Sequence, residues 1–240
     1  MESIMPLKVA ILGGVGPGSG LATALMTALS EQYKVVGLTR SLKTIHALES
    51  RMTERTSVTL VQADLLDATA VSTLVERIEA EVGQIAVYIH LAGSITLKSF
   101  LDTTDAEMAS SIEVNCLSAT AISRAILEKM LPRNQGTLIF SGATASLRGG
   151  PRGAAFAAGK FALRGFAQAL AREFGPQGIH VAHVVIDGMI AGPRAEDRFH
   201  AAPEQCIAPA DLARCYLDLI EQPRSAWSQE LDVRPWNEKF

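Results

Sequence analysis

Six short apolar runs, separated by longer stretches with helical spacing, constrain this chain more than any other feature. "KVAILGG" (8–14), "YKVVGLT" (33–39), "SVTLVQA" (57–63), "IAVYIHLAG" (85–93), "GTLIFSG" (136–142) and "GIHVAHVVI" (178–186) read as strands. Their apolar residues run on almost without alternation, the pattern of strands covered on both faces. Between them, "GLATALMTALSEQ", "DATAVSTLVERIEAEVG", "DAEMASSIEVNCLSATAISRAILEKML" and "AAFAAGKFALRGFAQALAREFG" carry apolar residues at helical spacing, with Gly83 and Gly175 as stops and Pro132 and Pro176 just beyond. Strand, crossover helix and parallel strand in repetition predict a doubly wound, Rossmann-like α/β sandwich of three layers. Its sheet is expected to be mostly parallel, with about seven strands. "PADLARCYLDLIEQ" and "ELDVRP" supply a last helix and a last strand. Between them and the sixth strand, residues 188–209 lack periodicity and hold three prolines, so a loop-rich lid over the carboxyl ends of the strands is expected.

The whole of 1–240 reads as a single domain, without repeat, linker or low-complexity segment. A formal charge of -3 and the absence of any Lys/Arg run give no electrostatic footprint for nucleic acid or an anionic membrane. The expected partner is a small molecule. No stretch approaches the roughly 20 apolar residues that span a bilayer, and "MESIMPLKVAILGG" lacks the features of a secretory signal. Cys116, Cys206 and Cys215 form no CxxC pair, which fits reduced thiols in a cytoplasm. His180 and His183 fall in or beside the sixth strand with no second spaced ligand, so no metal is expected.

Directly after the first strand comes "GGVGPGSGLA", inside which the next helix begins. Gly14, Gly18 and Gly20, with Pro17 and Ser19 among them, allow a tight turn and close approach of backbone to a phosphate. A pyrophosphate at that helix N-terminus would meet unpaired N–H groups and the positive end of the dipole. The strand–turn–helix order predicts a dinucleotide site here, with a purely structural turn as the alternative. The choice of dinucleotide falls to the end of the second strand, where an acidic residue would bond the 2′-hydroxyl of NAD(H). The sequence there is "GLTRS": Thr39 stands in the acidic position and Arg40 follows. Arg40 either pairs with a 2′-phosphate or is a solvated surface residue; the former predicts NADP(H) in preference to NAD(H).

With these residues in place the chain resembles the short-chain dehydrogenase/reductase family over nearly its whole length. The resemblance rests on the G-x-x-x-G-x-G turn, "ADLLD" after the third strand, "HLAGS" after the fourth, Asn115 in the long helix, and F-x-x-x-K in the fifth. It implies that Asp64 and the adjoining Leu65 meet the adenine, and that Ala92 and Gly93 lie against a cofactor ribose. Asp64 has an alternative reading as the N-cap of the following helix. Where the family usually has two asparagines before Ala92, this chain has His90 and Leu91, which weakens any hydrogen-bonding role for those side chains. After the sixth strand, Gly188 and Ile190 are implied as cofactor contacts, Ile190 through its backbone N–H.

The resemblance further implies a catalytic set of asparagine, serine, tyrosine and lysine. Asn115 and Lys160 match. Phe156 occupies the tyrosine position and Ala143 the serine position. A positioned general acid contributes about 10² to 10⁴ in rate, whereas holding the reactants together contributes about 7 to 11 kcal/mol. Loss of the acid therefore need not abolish redox chemistry. It disfavours simple ketones and favours activated carbonyls, imines and enones. Ser141, Thr144, Ser146 and Asp187 are candidate proton sources; for each, a role in turn geometry is the alternative. Three functions remain open at this stage: an NADP(H)-dependent oxidoreductase with an atypical proton route, a catalytically silent NADP(H)-binding sensor or regulatory module, and a non-redox lyase or isomerase. The resemblance implies a homotetramer or homodimer through the long helices, and Trp227, Trp236 and Phe240 near the end of the chain would cover either a neighbour or this subunit's own core.

Overall fold

Each of the six apolar runs forms a strand in the computed structural model, which describes residues 8–18, 20–50, 57–199 and 202–238. In chain order the elements are β1 (Val9–Gly13), α1 (Leu21–Leu29), β2 (Lys34–Thr39), α2 (Leu42–Glu49), β3 (Val58–Gln62), α3 (Ala68–Arg77) and β4 (Ile85–His90). Then follow α4 (Asp105–Asn115), α5 (Thr120–Met130), β5 (Gly136–Ser141), α6 (Ala154–Phe174) and β6 (Ile179–Ile186). The chain finishes with β7 (Met189–Ile190), α7 (Pro193–Phe199), β8 (Cys206–Ile207), α8 (Pro209–Glu221) and β9 (Glu230–Val233). Seven strands make one sheet in the order β3-β2-β1-β4-β5-β6-β9, and every pairing is parallel. The strand order reverses between β1 and β4. That junction is where an open α/β sheet leaves a crevice for a ligand.

Parallel strands with crossover helices need cover on both faces, and the sheet has it. Ile11, Val36, Tyr88 and Phe140 pack with Val75, Ile122, Ile126 and Leu163 of α3, α5 and α6. On the other face Leu12, Ile89, Ile139 and Val184 pack with Leu25, Leu29, Leu212 and Tyr216 of α1 and α8. At roughly 1.5–3 kcal/mol for each large apolar side chain buried, these two layers supply the main driving force for folding.

Four local features depart from the expected elements, beginning with the additional helix α2. The long helix is broken: Cys116 leaves helical geometry at φ -131°, and a short 3-10 turn at Leu117–Ala119 separates α4 from α5. The cause is Asn115, whose Nδ2 donates to Ser111 O (2.9 Å) and across to Ser94 O (3.0 Å), diverting the side chain out of the helix. The lid is more ordered than its sequence implies, since β7 pairs with β8 and α7 lies between them. The helix after the third strand is capped by Asp67, which accepts from Ala70 N, and not by Asp64.

The last strand is tied by charge. Glu230 of β9 accepts from Arg164 Nε and Nη2 of α6, both at 2.7 Å, and lies 3.1 Å from His183 Nδ1 of β6. Trp227 stacks on His180 at 4.9 Å and so covers this chain's own sheet, whereas Trp236 is 93% exposed. Phe240 lies outside the described residues. No helix among the described residues is long and apolar enough to cross a membrane.

Candidate active site

The crevice at the β1–β4 junction begins with two turns that interlock. Gly14 has φ +90°, a conformation that L side chains resist, and a Cβ there would stand 2.4 Å from the Ala92 Cα. The turn after β1 and the turn after β4 therefore approach as closely as backbones can. Gly14 N and Val15 N donate to Leu38 O, and Leu91 N donates to Gly13 O, which fixes the turn against both neighbouring strands. At Gly16, Gly18 and Gly20, in contrast, a Cβ would meet no protein atom within 4 Å. Gly20 caps α1 without any side-chain bond to the first-turn amides. Those N–H groups have no partner within the helix, so they can receive a phosphate. Ser19 lies outside the described residues.

One cavity of about 260 Å³ gathers most of the expected nucleotide contacts: Gly14, Pro17, Arg40, Asp64, Leu65, Ala92 and Gly93 all line it. Gly18 and Gly20 belong to the same turn. The cavity adds residues that the sequence reading missed, notably Ser41, Thr44, Val114 and Ser118. Ser41 is the N-cap of α2 and accepts from Thr44 N. Its S-x-x-T spacing before a helical run was the available signal. Asp64 Oδ1 accepts from Leu66 N, which holds the carboxylate in the wall.

Beyond Gly93 lies the reactive half. A Cβ on Gly93 would come within 3.1 Å of Asn115 Oδ1 and 3.3 Å of Lys160 Nζ, so a bare backbone is what lets these two side chains reach the crevice. Gly159 plays the same part between helices, where a Cβ would strike Ser111 O at 2.7 Å. Lys160 is buried and its Nζ donates to Ser141 O at 2.9 Å. Burial pulls its ammonium down to about 8, an effect that the nearby Cys116 opposes. Phe156 is half-buried one helical turn before Lys160, and Ala143 is half-buried at the turn leaving β5.

The hydroxyls near Ala143 are all engaged. Ser141 Oγ bonds the Tyr216 hydroxyl at 2.7 Å, among the α8-side residues of the sheet, while only its carbonyl meets Lys160. Ser146 Oγ accepts from Ala143 N at 3.1 Å. Thr144 Oγ1 donates to Asp187 Oδ1. Asp187 is itself buried, with Arg148 at 3.6 Å and Arg234 at 3.4 Å from Oδ2. This carboxylate ties the turn after β5 to the segment after β9. Gly188 follows at φ +156°, with Pro235 so close that a Cβ would lie 2.6 Å from its Cδ. Ile190 sits in β7, paired with Ile207.

His90, where the missing asparagine weakened the expectation of a hydrogen-bonding role, has two partners: its Nδ1 lies 2.7 Å from the Tyr88 hydroxyl and its Nε2 3.2 Å from Ser118 Oγ. Nothing in the sequence pairs a residue on β4 with one in the 3-10 turn before α5. The contact is purely tertiary.

The family model described as short chain dehydrogenase matches residues 8–201. The chain belongs to this family. Within it, the chain is 28% identical over 183 residues to the 3-oxoacyl-(acyl-carrier-protein) reductase FabG of Escherichia coli, covering 76% of this chain and 73% of that protein. A short-chain dehydrogenase from Rhodopseudomonas palustris superposes with a TM-score of 0.81 at 29% identity, covering 95% of this chain and 99% of the other. A metagenomic short-chain oxidoreductase in complex with NADP superposes with a TM-score of 0.80 at 23% identity, covering 97% and 99%; at that identity the likeness is one of fold. The crevice, the lysine on α6 and the all-parallel sheet thus sit in a short-chain oxidoreductase framework.

Proposed function

We propose that the chain is an NADP(H)-dependent oxidoreductase acting on an activated carbonyl, imine or enone by an atypical proton route. The observation that carries this reading is the buried Lys160 ammonium, bonded to Ser141 O beside Asn115 and Gly93, with Phe156 one turn before it and no hydroxyl at Ala143. The residues fit a dinucleotide. Open space at Gly16, Gly18 and Gly20 together with the uncapped start of α1 suits a pyrophosphate. Exposed Arg40, with Ser41 and Thr44 beside it in the cavity, suits a 2′-phosphate, and no carboxylate stands at Thr39 to repel one. The NADP in the metagenomic relative's complex agrees with this choice.

When bound, a nicotinamide would donate or accept the hydride. The chain's own contribution is to hold and to exclude. With its proton affinity near 8, Lys160 is mostly charged at neutral pH. One of its N–H groups is spent on Ser141 O, and the others would be left for a ribose hydroxyl of the bound nucleotide. Phe156 and Ala143 offer no proton to a developing alkoxide, so substrates that bring their own proton or delocalise charge are favoured. The same two positions, with Ser141, Thr144 and Ser146 already engaged, also favour a second reading, a catalytically silent NADP(H)-binding sensor or regulatory module.

The framework as a single domain, 1–240, in a cytoplasmic homodimer or homotetramer belongs to the same proposal. Leu117 and Phe161, exposed on the α4–α6 flank, support self-association. The test is a calorimetric titration of nucleotide-stripped protein with NADPH and then NADH, followed by a panel of imines, enones and activated carbonyls. Tight NADPH binding, much weaker NADH binding and turnover on the panel is the expected result. Binding without turnover selects the silent module. If neither nucleotide binds, both readings fall.

A further inference from the structure

Asp187 is buried where the turn after β5 meets the segment leading into the lid, and it attracts more cations than it bonds. Its Oδ1 accepts from Thr144 Oγ1. Its Oδ2 accepts no hydrogen bond among the described residues, although Arg234 Nη1 stands 3.4 Å away and Arg148 Nη2 3.6 Å. The two guanidiniums differ in what else they hold. Arg234 also bonds Asp232 Oδ2 on β9. Arg148 is half-exposed, and among the described residues it pairs with no other carboxylate and gives its side-chain N–H groups to no acceptor. Its five donors are therefore open, in a side chain that charge attraction holds in place without consuming them.

The surroundings of Arg148 are apolar or bare. It ends the turn that begins at Ala143, its N–H donating to Thr144 O at 3.1 Å. Gly149 and Gly150 follow, exposed, and a Cβ on Gly150 would meet nothing within 4 Å. Lys98 N donates to Arg152 O at 2.7 Å, which brings Leu97 against Gly153 at the start of α6, about one turn before Phe156. Ala143, Phe156 and Leu97 offer a substrate contact area and no polar grip. A reactant must nonetheless be held in one orientation for hydride transfer. The open guanidinium is the group at this end of the crevice that can do so. Its planar fork matches a carboxylate through two parallel hydrogen bonds. A single guanidinium, already facing Asp187, matches a monoanion better than a phosphate dianion.

We propose that the substrate carries a carboxylate and that Arg148 is the specificity residue that binds it. The inference rests on the reading of the crevice as an NADP(H)-dependent oxidoreductase site and narrows its substrate class to activated carbonyls, imines or enones that bear an acid group.

The experiment compares β-acetylacrylate with its methyl ester, two enones of one shape of which only the first is charged, as substrates with NADPH. A parallel calorimetric titration of the NADP-loaded protein with levulinate and with methyl levulinate reads binding without turnover. The native protein is expected to favour the acid in both. Arg148→Gln should lower the acid-to-ester ratio by about 10- to 100-fold, the range of a charged hydrogen-bonded pair, chiefly through KM. Arg148→Lys keeps the charge without the fork and should restore part of the ratio. A merely structural role for Arg148 would change acid and ester alike. A native protein indifferent to the charge, or a ratio unchanged in Arg148→Gln with NADPH still bound, overturns this inference alone. If NADPH binds and neither enone is turned over, the levulinate titrations decide it by the same ratio. Failure of the native protein to bind NADPH overturns it along with the proposed function.

Discussion

The two halves of the crevice are built on opposite plans. On the nucleotide side the wall is largely backbone: Gly16, Gly18 and Gly20 face open space and the first turn of α1 has no side-chain cap. On the reactive side the wall is side chain, and its polar groups are spoken for: Lys160 by Ser141 O, Asn115 by Ser94 and Ser111, Thr144 by Asp187, Ser146 by Ala143 N. Buried polar groups left without partners cost about 1–3 kcal/mol each, so a side-chain site must satisfy itself before any ligand comes. A backbone cradle at the surface is under no such pressure because water serves it. One half therefore waits for a ligand, while the other has bonded most of its polar groups to itself.

That contrast breaks most visibly if hydroxyls are restored to the reactive side. Phe156→Tyr combined with Ala143→Ser should raise NADPH-dependent reduction of a simple ketone by about 10² to 10⁴, the usual worth of a positioned acid. No gain would mean that the reactive half lacks more than two oxygens. Acid is the next lever. His183 is buried against Glu230, and burial pulls its imidazole down to about 4 although the carboxylate favours the proton. The unfolded chain binds that proton more readily between pH 4 and the ordinary value near 6.5. Stability should accordingly fall as pH drops through this window, by on the order of 3 kcal/mol from His183 alone. Urea unfolding at pH 7 and pH 4.5 should show a smaller loss for His183→Gln than for the native protein.

Within the cradle itself two glycines should behave differently. Gly14→Ala forces a Cβ into Ala92 at positive φ and should cost about 2–3 kcal/mol, lowering the melting temperature by roughly 5–10 °C. Gly16→Ala places its methyl in open space and should melt within a degree or two of the native protein. Equal effects would show that the cradle is tightly packed after all. The most selective effect is expected at Arg40: Arg40→Ala should weaken NADPH about 10-fold or more by calorimetry and leave NADH unchanged.

The sequence carried the sheet plainly because strands buried on both faces are apolar throughout, and β1 through β6 fall within or beside their apolar runs. That the crevice would gather Gly14, Arg40 and Asp64 in one cavity was also legible, since all three stand at fixed offsets from strand ends. What stayed hidden depended on partners far along the chain. The break between α4 and α5 follows from Asn115 reaching Ser94, and the role of His90 from Ser118; neither partner can be read from local spacing. Asp187 suggested a proton source from its place beside Gly188, yet Arg148 and Arg234 arrive from two other segments to hold it as an ion-paired anchor. Helix α2 went unread because its eight residues give too short a window for periodicity to stand out.

The pairing of β1 with β4 has a kinetic consequence. Val9 and Ile85 are neighbours in the sheet, with β2, β3 and the helices α1 to α3 lying between them in the chain. Such a non-local contact forms slowly, after the loop between its ends has closed. Until it forms, the turns at Gly14 and Ala92 are apart and no crevice exists for a nucleotide to enter. Where ligand contacts form only after the folding transition state, they act on the unfolding rate alone. A bound dinucleotide should prolong the lifetime of the native state while leaving the rate of its formation untouched.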